Sequence, residues 1–115
     1  MAPALAAPAP RVALDGLLQA SRRLLEAEYG SRLAGLVFHG SAARGTPHQE
    51  SDIDLLVLLS DDFDYWRELR RITALLYPLE VESGHLLSAF PVAAEEFENG
   101  ELALYRNAAR EGVRI

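Results

Sequence analysis

Residues 33–59 read LAGLVFHGSAARGTPHQESDIDLLVLL, and this stretch decides the fold of the chain. Two short runs, 33–38 and 52–59, flank a connection rich in glycine, serine and alanine; the first is apolar, and the second becomes continuously apolar after Asp54. Short apolar runs bounded by turn residues are typical of buried strands. The stretch therefore predicts two strands of a buried sheet joined by a polar loop, with a short helix after the Gly-Ser turn.

Helical patterns surround these strands. Apolar residues in 14–29 recur at helical spacing, and Gly30 stands where a helix would end. A second amphipathic helix is expected from a cap at Asp61 or Asp62 to about residue 79, followed by a strand over 85–92. Residues 95–112 are expected to be helical in one or two pieces, ending at Gly112. This order predicts an α/β (α+β) domain with a small mixed sheet and helices packed against it.

The composition excludes several classes of site and partner. The chain has 115 residues, no cysteine and a formal net charge of −6, with 17 acidic against 11 basic residues. The absence of cysteine excludes disulfides and thiolate metal sites, and it suits the cytoplasm. An acidic surplus opposes binding to free nucleic acid, since affinity depends on neutralising phosphates.

The chain is expected to be a single domain behind a short leader. Residues 1–12 are rich in alanine and proline and are expected to be disordered, and residues 13–115 are expected to form the domain. No apolar stretch approaches the roughly 20 residues that a membrane span requires, so we expect no membrane partner.

Gly40-Ser41, directly after the first strand, is a candidate phosphate-binding turn. Glycine lets the backbone approach a ligand closely, and the serine hydroxyl adds a donor for a phosphate oxygen. His39 is expected to pack or to face solvent rather than to contact phosphate. A strand followed by Gly-Ser is also an ordinary turn, so this feature alone has little specificity.

Asp52 and Asp54 are candidate metal ligands at the start of the second strand. Residues i and i+2 of a strand point to the same side, roughly 6 to 7 Å apart. Two carboxylates so close repel each other unless a cation neutralises them, and hard oxygen ligands suit Mg²⁺. The alternative is a solvated strand end at which both aspartates face water.

The two halves together resemble the signature of the minimal nucleotidyltransferases, small members of the DNA polymerase beta superfamily. That pattern is Gly-Ser-x-Ala-Arg-Gly, a short gap, then Ser-Asp-x-Asp-hydrophobic, and residues 40–45 and 51–57 match it. The resemblance implies transfer of a nucleoside monophosphate from a nucleoside triphosphate, ATP foremost, to a hydroxyl acceptor. Asp52 and Asp54 would hold Mg²⁺ or Mn²⁺ and serve catalysis.

The same resemblance implies the nucleotide-binding residues. Gly40 and Ser41 would hold the β- and γ-phosphates. Arg44 could touch phosphate or brace the loop through an acidic partner such as Glu50 or Asp52. Ser51 is grouped with the nucleotide-binding residues. Its expected role is to shape the start of the second strand rather than to take part in the reaction.

A third carboxylate is usual on the following strand of active members, and here that strand contains no acid. Its expected position is Ser88 or Phe90, depending on register. Glu82 shares the strand parity of Ser88 and could substitute if extended structure continued through Gly84. Without a third carboxylate, nucleotide binding could persist while chemistry is slow or absent.

The resemblance also implies a protein partner. Minimal nucleotidyltransferases often act as antitoxins beside HEPN-domain proteins, either modifying the partner or only masking it. So short a chain leaves the acceptor to such a partner or to a second subunit in a homo-oligomer. The candidate aromatic anchors are Tyr65, Trp66, Phe97 and Tyr105, with core packing the favoured alternative for Trp66 and Phe97.

Overall fold

A computed structural model describes residues 11–40 and 52–115. The elements, in chain order, are α1 (Arg11–Tyr29), β1 (Leu33–His39), β2 (Ile53–Leu59), α2 (Tyr65–Ser83), β3 (Leu87–Ala93), α3 (Ala94–Glu98), α4 (Ala103–Glu111) and β4 (Val113–Arg114). A 3-10 turn, Gly30–Arg32, joins α1 to β1. Within the described ranges, no helix combines the length and apolar character needed to cross a bilayer.

The four strands form one mixed sheet in the order β3-β2-β1-β4. β1 pairs with β2 and with β4 in antiparallel fashion, whereas β2 and β3 run parallel. The parallel pair is possible because α2 crosses over between its two strands. The prediction of a small mixed sheet with packed helices is confirmed.

The alternation of side chains along β2 divides the core into two layers. Ile53, Leu55, Val57 and Leu59 point to the face that α1 and α2 cover, and all four are nearly completely buried. Leu56 and Leu58 point to the other face, where α3 and α4 contribute Phe97 and Ala108. Strands buried on both faces are continuously apolar, which explains the run at 55–59.

The helix α2 is displaced along the chain from its predicted position. Asp64, not Asp61 or Asp62, caps it by accepting a hydrogen bond from the Arg67 backbone N–H at 3.0 Å. The helix continues past residue 79 to Ser83 and ends at Gly84, which adopts a left-handed φ of 76°. Three aspartates precede the helix, and all are competent caps, so spacing alone could not select one.

The C-terminal region is helical in two pieces, which is one of the two arrangements that the sequence predicts. The chain turns between α3 and α4 at Gly100, whose φ is 64°. β4 was not predicted; it adds two residues to the edge of β1, and the Ile115 N–H donates to the Leu36 carbonyl at 2.9 Å. A two-residue strand has no sequence period, so its pairing follows from tertiary packing.

A buried polar contact joins α1 to α2. The Tyr29 hydroxyl donates to Glu68 Oε1 at 2.8 Å, and both side chains are almost fully buried. Arg71 Nε lies 3.6 Å from the same carboxylate oxygen. Because a buried carboxylate is costly without partners, this pair fixes how the two helices meet.

Candidate functional site

The candidate site lies where the end of β1 meets the start of β2. Antiparallel pairing sets His39 directly opposite Asp54. Asp52 and Asp54 belong to the same sheet face as Leu56 and Leu58, which are covered by α3 and α4. Asp54 is half-buried and Asp52 is exposed. The two carboxylates therefore lie at the edge of the layer that α3 and α4 cover. The strand spacing thus places two acids on one face, as predicted.

Gly40 follows His39 and bends the chain beside Asp54. Its φ of 92° lies in the region that side chains other than glycine rarely adopt. A Cβ added to Gly40 would collide with the Asp54 carboxylate. The glycine of the predicted phosphate-binding turn therefore lies in direct contact with one predicted metal ligand.

Burial and charge both act on Asp54. Burial raises the pKa of Asp54, and the neighbouring charge of Asp52 raises it further, while His39 opposes these effects. Burial also lowers the pKa of His39, against the influence of Asp54. His39 Nε2 is buried and has no hydrogen-bond partner among the described residues. Among the residues that the structure describes, the site thus holds an acidic pair next to an imidazole nitrogen without a hydrogen-bond partner.

β3 completes the site on the other side of β2. Parallel pairing sets Ser88 beside Asp54 and Phe90 beside Leu56, and both belong to the carboxylate face. Phe90 is 41% exposed and Leu86, the residue before β3, is 54% exposed. Of the two positions predicted for a third carboxylate, the register selects the one occupied by Ser88.

Glu82 lies outside the site. Its predicted role required extended structure through Gly84, and that expectation is wrong. Residues 82 and 83 form the last turn of α2, and Gly84 ends that helix. Glu82 lies with Gly16 and Leu17 of α1, on the opposite side of the sheet from Asp54. The glycine is a left-handed helix cap, so chain parity from Ser88 does not extend back to Glu82.

Three predicted nucleotide-binding residues, Ser41, Arg44 and Ser51, lie outside the described residues, as does the predicted short helix. The structure adds His39 to the site. His39 was expected to pack or to face solvent, and its position opposite Asp54 depends on antiparallel pairing of β1 with β2. The connection over residues 40–52 is long enough for either strand direction, so its length gives no signal for that pairing.

The donor set fits a hard divalent cation. Asp52 and Asp54 offer carboxylate oxygens on one face, and the raised pKa of Asp54 reflects a charge that a cation would compensate. Across residues 11–40 and 52–115, no three side chains of histidine, aspartate or glutamate form a cluster that could hold a metal. Mg²⁺ is commonly held by one or two carboxylates together with substrate phosphates and water, which matches this pair.

Comparison with known proteins identifies the family of this chain. The profile of the nucleotidyltransferase domain family matches residues 18–108. A curated relative from Methanocaldococcus jannaschii, MJ0604, is named as a candidate protein adenylyltransferase. It is 33% identical over 90 residues, which cover 76% of this chain and 83% of the relative.

Solved structures share the fold at low sequence identity. A candidate nucleotidyltransferase from Sulfolobus solfataricus aligns with a TM-score of 0.57 and 15% identity, over 92% of this chain and 87% of that one. A toxin–antitoxin crystal structure with AMP-PNP aligns with a TM-score of 0.54 and 19% identity, over 84% of this chain and 70% of that one. A mutant of the MntA-HpeT toxin–antitoxin aligns with a TM-score of 0.57 and 20% identity, over the same shares. The chain therefore belongs to the nucleotidyltransferase domain family, and its fold is that of the minimal nucleotidyltransferases.

Proposed function

We propose that this chain transfers a nucleoside monophosphate from ATP to a hydroxyl group of a partner protein. The observation that carries the proposal is the contact between the Gly40 turn and Asp54. This contact joins the phosphate-binding half of the signature to the metal-binding half. A triphosphate bridging the two halves would have its phosphates at the turn and its α-phosphorus near the aspartates.

Asp52 and Asp54 would hold the catalytic Mg²⁺ or Mn²⁺. A bound divalent cation neutralises charge on the triphosphate and lowers the pKa of the attacking hydroxyl. The backbone at Gly40, with Ser41 and Arg44 on the loop that follows, would bind the phosphates. Because Gly40 has no side chain, its backbone can approach an anion closely.

The reaction exchanges one phosphorus–oxygen bond for another. The acceptor oxygen forms a bond to the α-phosphorus, and the bond from that phosphorus to the β-phosphate oxygen breaks. Pyrophosphate leaves, and the acceptor hydroxyl loses its proton. Since β3 carries serine where a carboxylate base is usual, water or a group brought by the acceptor would take that proton.

A protein acceptor is supported by charge and by similarity. The net charge of −6 disfavours a polyanionic acceptor. The relative from Methanocaldococcus jannaschii is named for transfer to protein, and two of the structural neighbours are toxin–antitoxin structures. We therefore place the chain with cytoplasmic antitoxins that act on a HEPN-type partner.

A labelling experiment tests this proposal. The protein would be incubated with Mg²⁺, ATP labelled at the α-phosphate and the product of the neighbouring gene, and label on that product is the expected result. Asp54→Asn should abolish labelling, whereas Asp62→Asn, an exposed acid outside the site, should not. No labelling with any nucleotide, or equal labelling by Asp54→Asn, would refute the proposal.

A second function is favoured by the acid-free β3. In this alternative the chain is a degenerate nucleotidyltransferase that binds a HEPN-type toxin and masks it. Leu86 and Phe90 would then offer an apolar contact beside the site.

Protection of cells from the toxin distinguishes the two functions. The double variant Asp52→Asn/Asp54→Asn should still protect if masking is sufficient. It should fail to protect, while still forming the complex, if transfer is required. Copurification of toxin and variant from the same cells provides the control for complex formation.

A further inference from the structure

The outer face of α2 carries a stripe of exposed side chains that the fold does not use. Trp66 and Val81 are each 65% exposed and Tyr77 is 60% exposed, so the expectation of core packing for Trp66 is wrong. The α2 stripe, as we define it, comprises Trp66, Arg70, Thr73, Ala74, Tyr77 and Val81. Large apolar side chains this exposed often mark an interaction surface.

The α2 stripe lies on one side of the helix. Each member has another member three or four residues away, which places them on a single face. The opposite face, with Ile72 and Leu76, packs into the core and is almost fully buried. Around the middle of the stripe is a shallow groove of about 600 Å³, lined by Trp66, Leu69, Arg70, Thr73, Ala74 and Tyr77.

The positions of the stripe residues are symmetric about its midpoint. Thr73 and Ala74, both small, flank its midpoint. Arg70 and Tyr77 lie equally far on either side of that midpoint, and so do Trp66 and Val81. In an antiparallel pair of these helices, Arg70 of one would therefore face Tyr77 of the other, and Trp66 would face Val81.

We infer that the α2 stripe binds the same stripe of a second copy of this chain, with the two helices antiparallel. A two-fold interface uses one patch twice and so requires that the patch complement itself. Small side chains at Thr73 and Ala74 let the helices approach at the axis. Arg70 of each copy then faces Tyr77 of the other, an arrangement that favours cation–π contact.

Charge does not prevent pairing of two copies at the stripe, although it opposes their approach elsewhere. The chain carries a net charge of −6, which makes two copies repel at long range. The stripe itself contains no acidic residue, and Arg70 is its one charged member. Pairing at the stripe would thus bring no carboxylate of the stripe against another. The stripe spans roughly 22 Å by helical rise, enough for a two-helix contact.

Pairing through α2 leaves the candidate sites open. α2 covers the face of the sheet that holds Ile53 and Leu55, while Asp52 and Asp54 belong to the other face. The two sites of the dimer would therefore lie on its outer sides. Each could bind nucleotide and acceptor without crossing the interface.

Solution mass and fluorescence test this inference directly. Trp66 is the sole tryptophan, so its emission reports on the stripe alone. Light scattering after size exclusion should give twice the 12.6 kDa chain mass at micromolar concentration. Dilution should halve that mass and shift the emission to longer wavelength as Trp66 returns to water. A monomer at all concentrations, with constant emission, would overturn the inference.

Substitutions locate the interface. Tyr77→Glu should give a monomer with an unchanged far-ultraviolet circular dichroism spectrum, because Tyr77 lies outside the core. Leu104→Glu, at an exposed leucine on α4, should remain dimeric. A dimer that survives Tyr77→Glu, or one lost only in Leu104→Glu, would show that the chain associates elsewhere.

Crosslinking gives a second readout, which also traps weak association. The chain has no cysteine, so a single one can be introduced cleanly. Under mild oxidation Ala74→Cys, beside the proposed axis, should form a covalent dimer rapidly. Ala109→Cys, exposed on α4, should crosslink at least tenfold more slowly. Equal rates would overturn the inference, and so would an Ala74→Cys variant that crosslinks only to a different protein.

Discussion

Ser88 on β3 lies directly beside Asp54 on β2, in register and on the same face of the sheet. Neighbouring strands are about 4.8 Å apart, so a carboxylate at position 88 would approach Asp54 closely. We expect Ser88→Asp to destabilise the metal-free protein by charge repulsion and to raise nucleotidyl transfer roughly tenfold, which is about 1.4 kcal/mol of barrier. Thermal unfolding with and without Mg²⁺, together with transfer rates, measures both effects.

Ser88→Asn is the matched control for that prediction, because asparagine has the size of aspartate without its charge. It should neither repel Asp54 nor raise the transfer rate. If Ser88→Asn changed the rate as much as Ser88→Asp, the charge at position 88 would not be the cause. A Ser88→Asp variant whose unfolding temperature is the same with and without Mg²⁺ would also contradict the prediction.

Removing the charge of Asp54 should stabilise the metal-free protein and weaken its binding of metal. Asp54→Asn relieves repulsion with Asp52 and the burial cost of a carboxylate, so the metal-free protein should unfold a few degrees higher. The variant should lose the stabilisation that Mg²⁺ and nucleotide confer on the parent by binding the folded state. Differential scanning fluorimetry in EDTA and in Mg²⁺ with a nonhydrolysable nucleotide makes the comparison. Equal ligand-induced shifts in both proteins would refute a role for Asp54 in binding the metal.

Much of this site follows from side-chain alternation and turn chemistry in the sequence. The apolar run after Asp54 predicts a strand buried on both faces, and the spacing of Asp52 and Asp54 predicts one shared face. Neither pattern determines which strands are neighbours. The positions of His39 and Ser88 beside Asp54 depend on strand register, and register is a property of the assembled sheet.

The errors have particular physical causes. Glu82 was placed by strand parity through Gly84, but glycine serves an extended chain and a left-handed helix cap equally well. β4 was missed because its two residues carry no periodic signal. Its pairing depends on Gly112, which lets the chain pass close to β1.

Gly40→Ala should damage the site more than the fold. Alanine at a φ of 92° costs about 1 to 2 kcal/mol of backbone strain, and its Cβ would displace the Asp54 carboxylate. We expect transfer to fall at least a hundredfold, while the loss in unfolding free energy stays within that strain. Gly84→Ala provides the control, because Gly84 has a similar φ of 76° and an added Cβ there meets no atom within 4 Å. Comparable loss of activity in both variants would show that strain alone is responsible.

Gly112→Ala should destabilise the C-terminal packing. A Cβ there would lie 2.6 Å from the Ala108 carbonyl oxygen and 2.8 Å from that of Phe38, both rigid backbone atoms. We expect the free energy of unfolding to fall by about 1 to 3 kcal/mol, as overpacking typically costs. Gly16→Ala, in open space on α1, should instead raise it by about 0.5 to 1 kcal/mol. Urea titrations of the three proteins measure the difference, and an unchanged Gly112→Ala midpoint would contradict the close packing.

The contact between Tyr29 and Glu68 links stability to high pH. Burial raises the pKa of Tyr29 well above its usual value, and the hydrogen bond to Glu68 and the negative charge of that residue add to the effect. A raised pKa means that the folded chain holds this proton more tightly than the unfolded chain. The resulting stability is therefore fully present below the unfolded pKa of about 10 and is lost as the pH rises above it.

Tyr29→Phe should remove this contribution and its pH dependence together. At pH 7 the variant leaves a buried Glu68 carboxylate without its nearest donor, so we expect a loss of about 1 to 3 kcal/mol. Between pH 9 and pH 11 the parent should lose stability faster than the variant, because only the parent releases the Tyr29 proton on unfolding. Tyr65→Phe, at a tyrosine 39% exposed, should follow the parent throughout. Urea unfolding at half-unit pH steps tests the difference in slope, and parallel curves for Tyr29→Phe and the parent would refute the linkage.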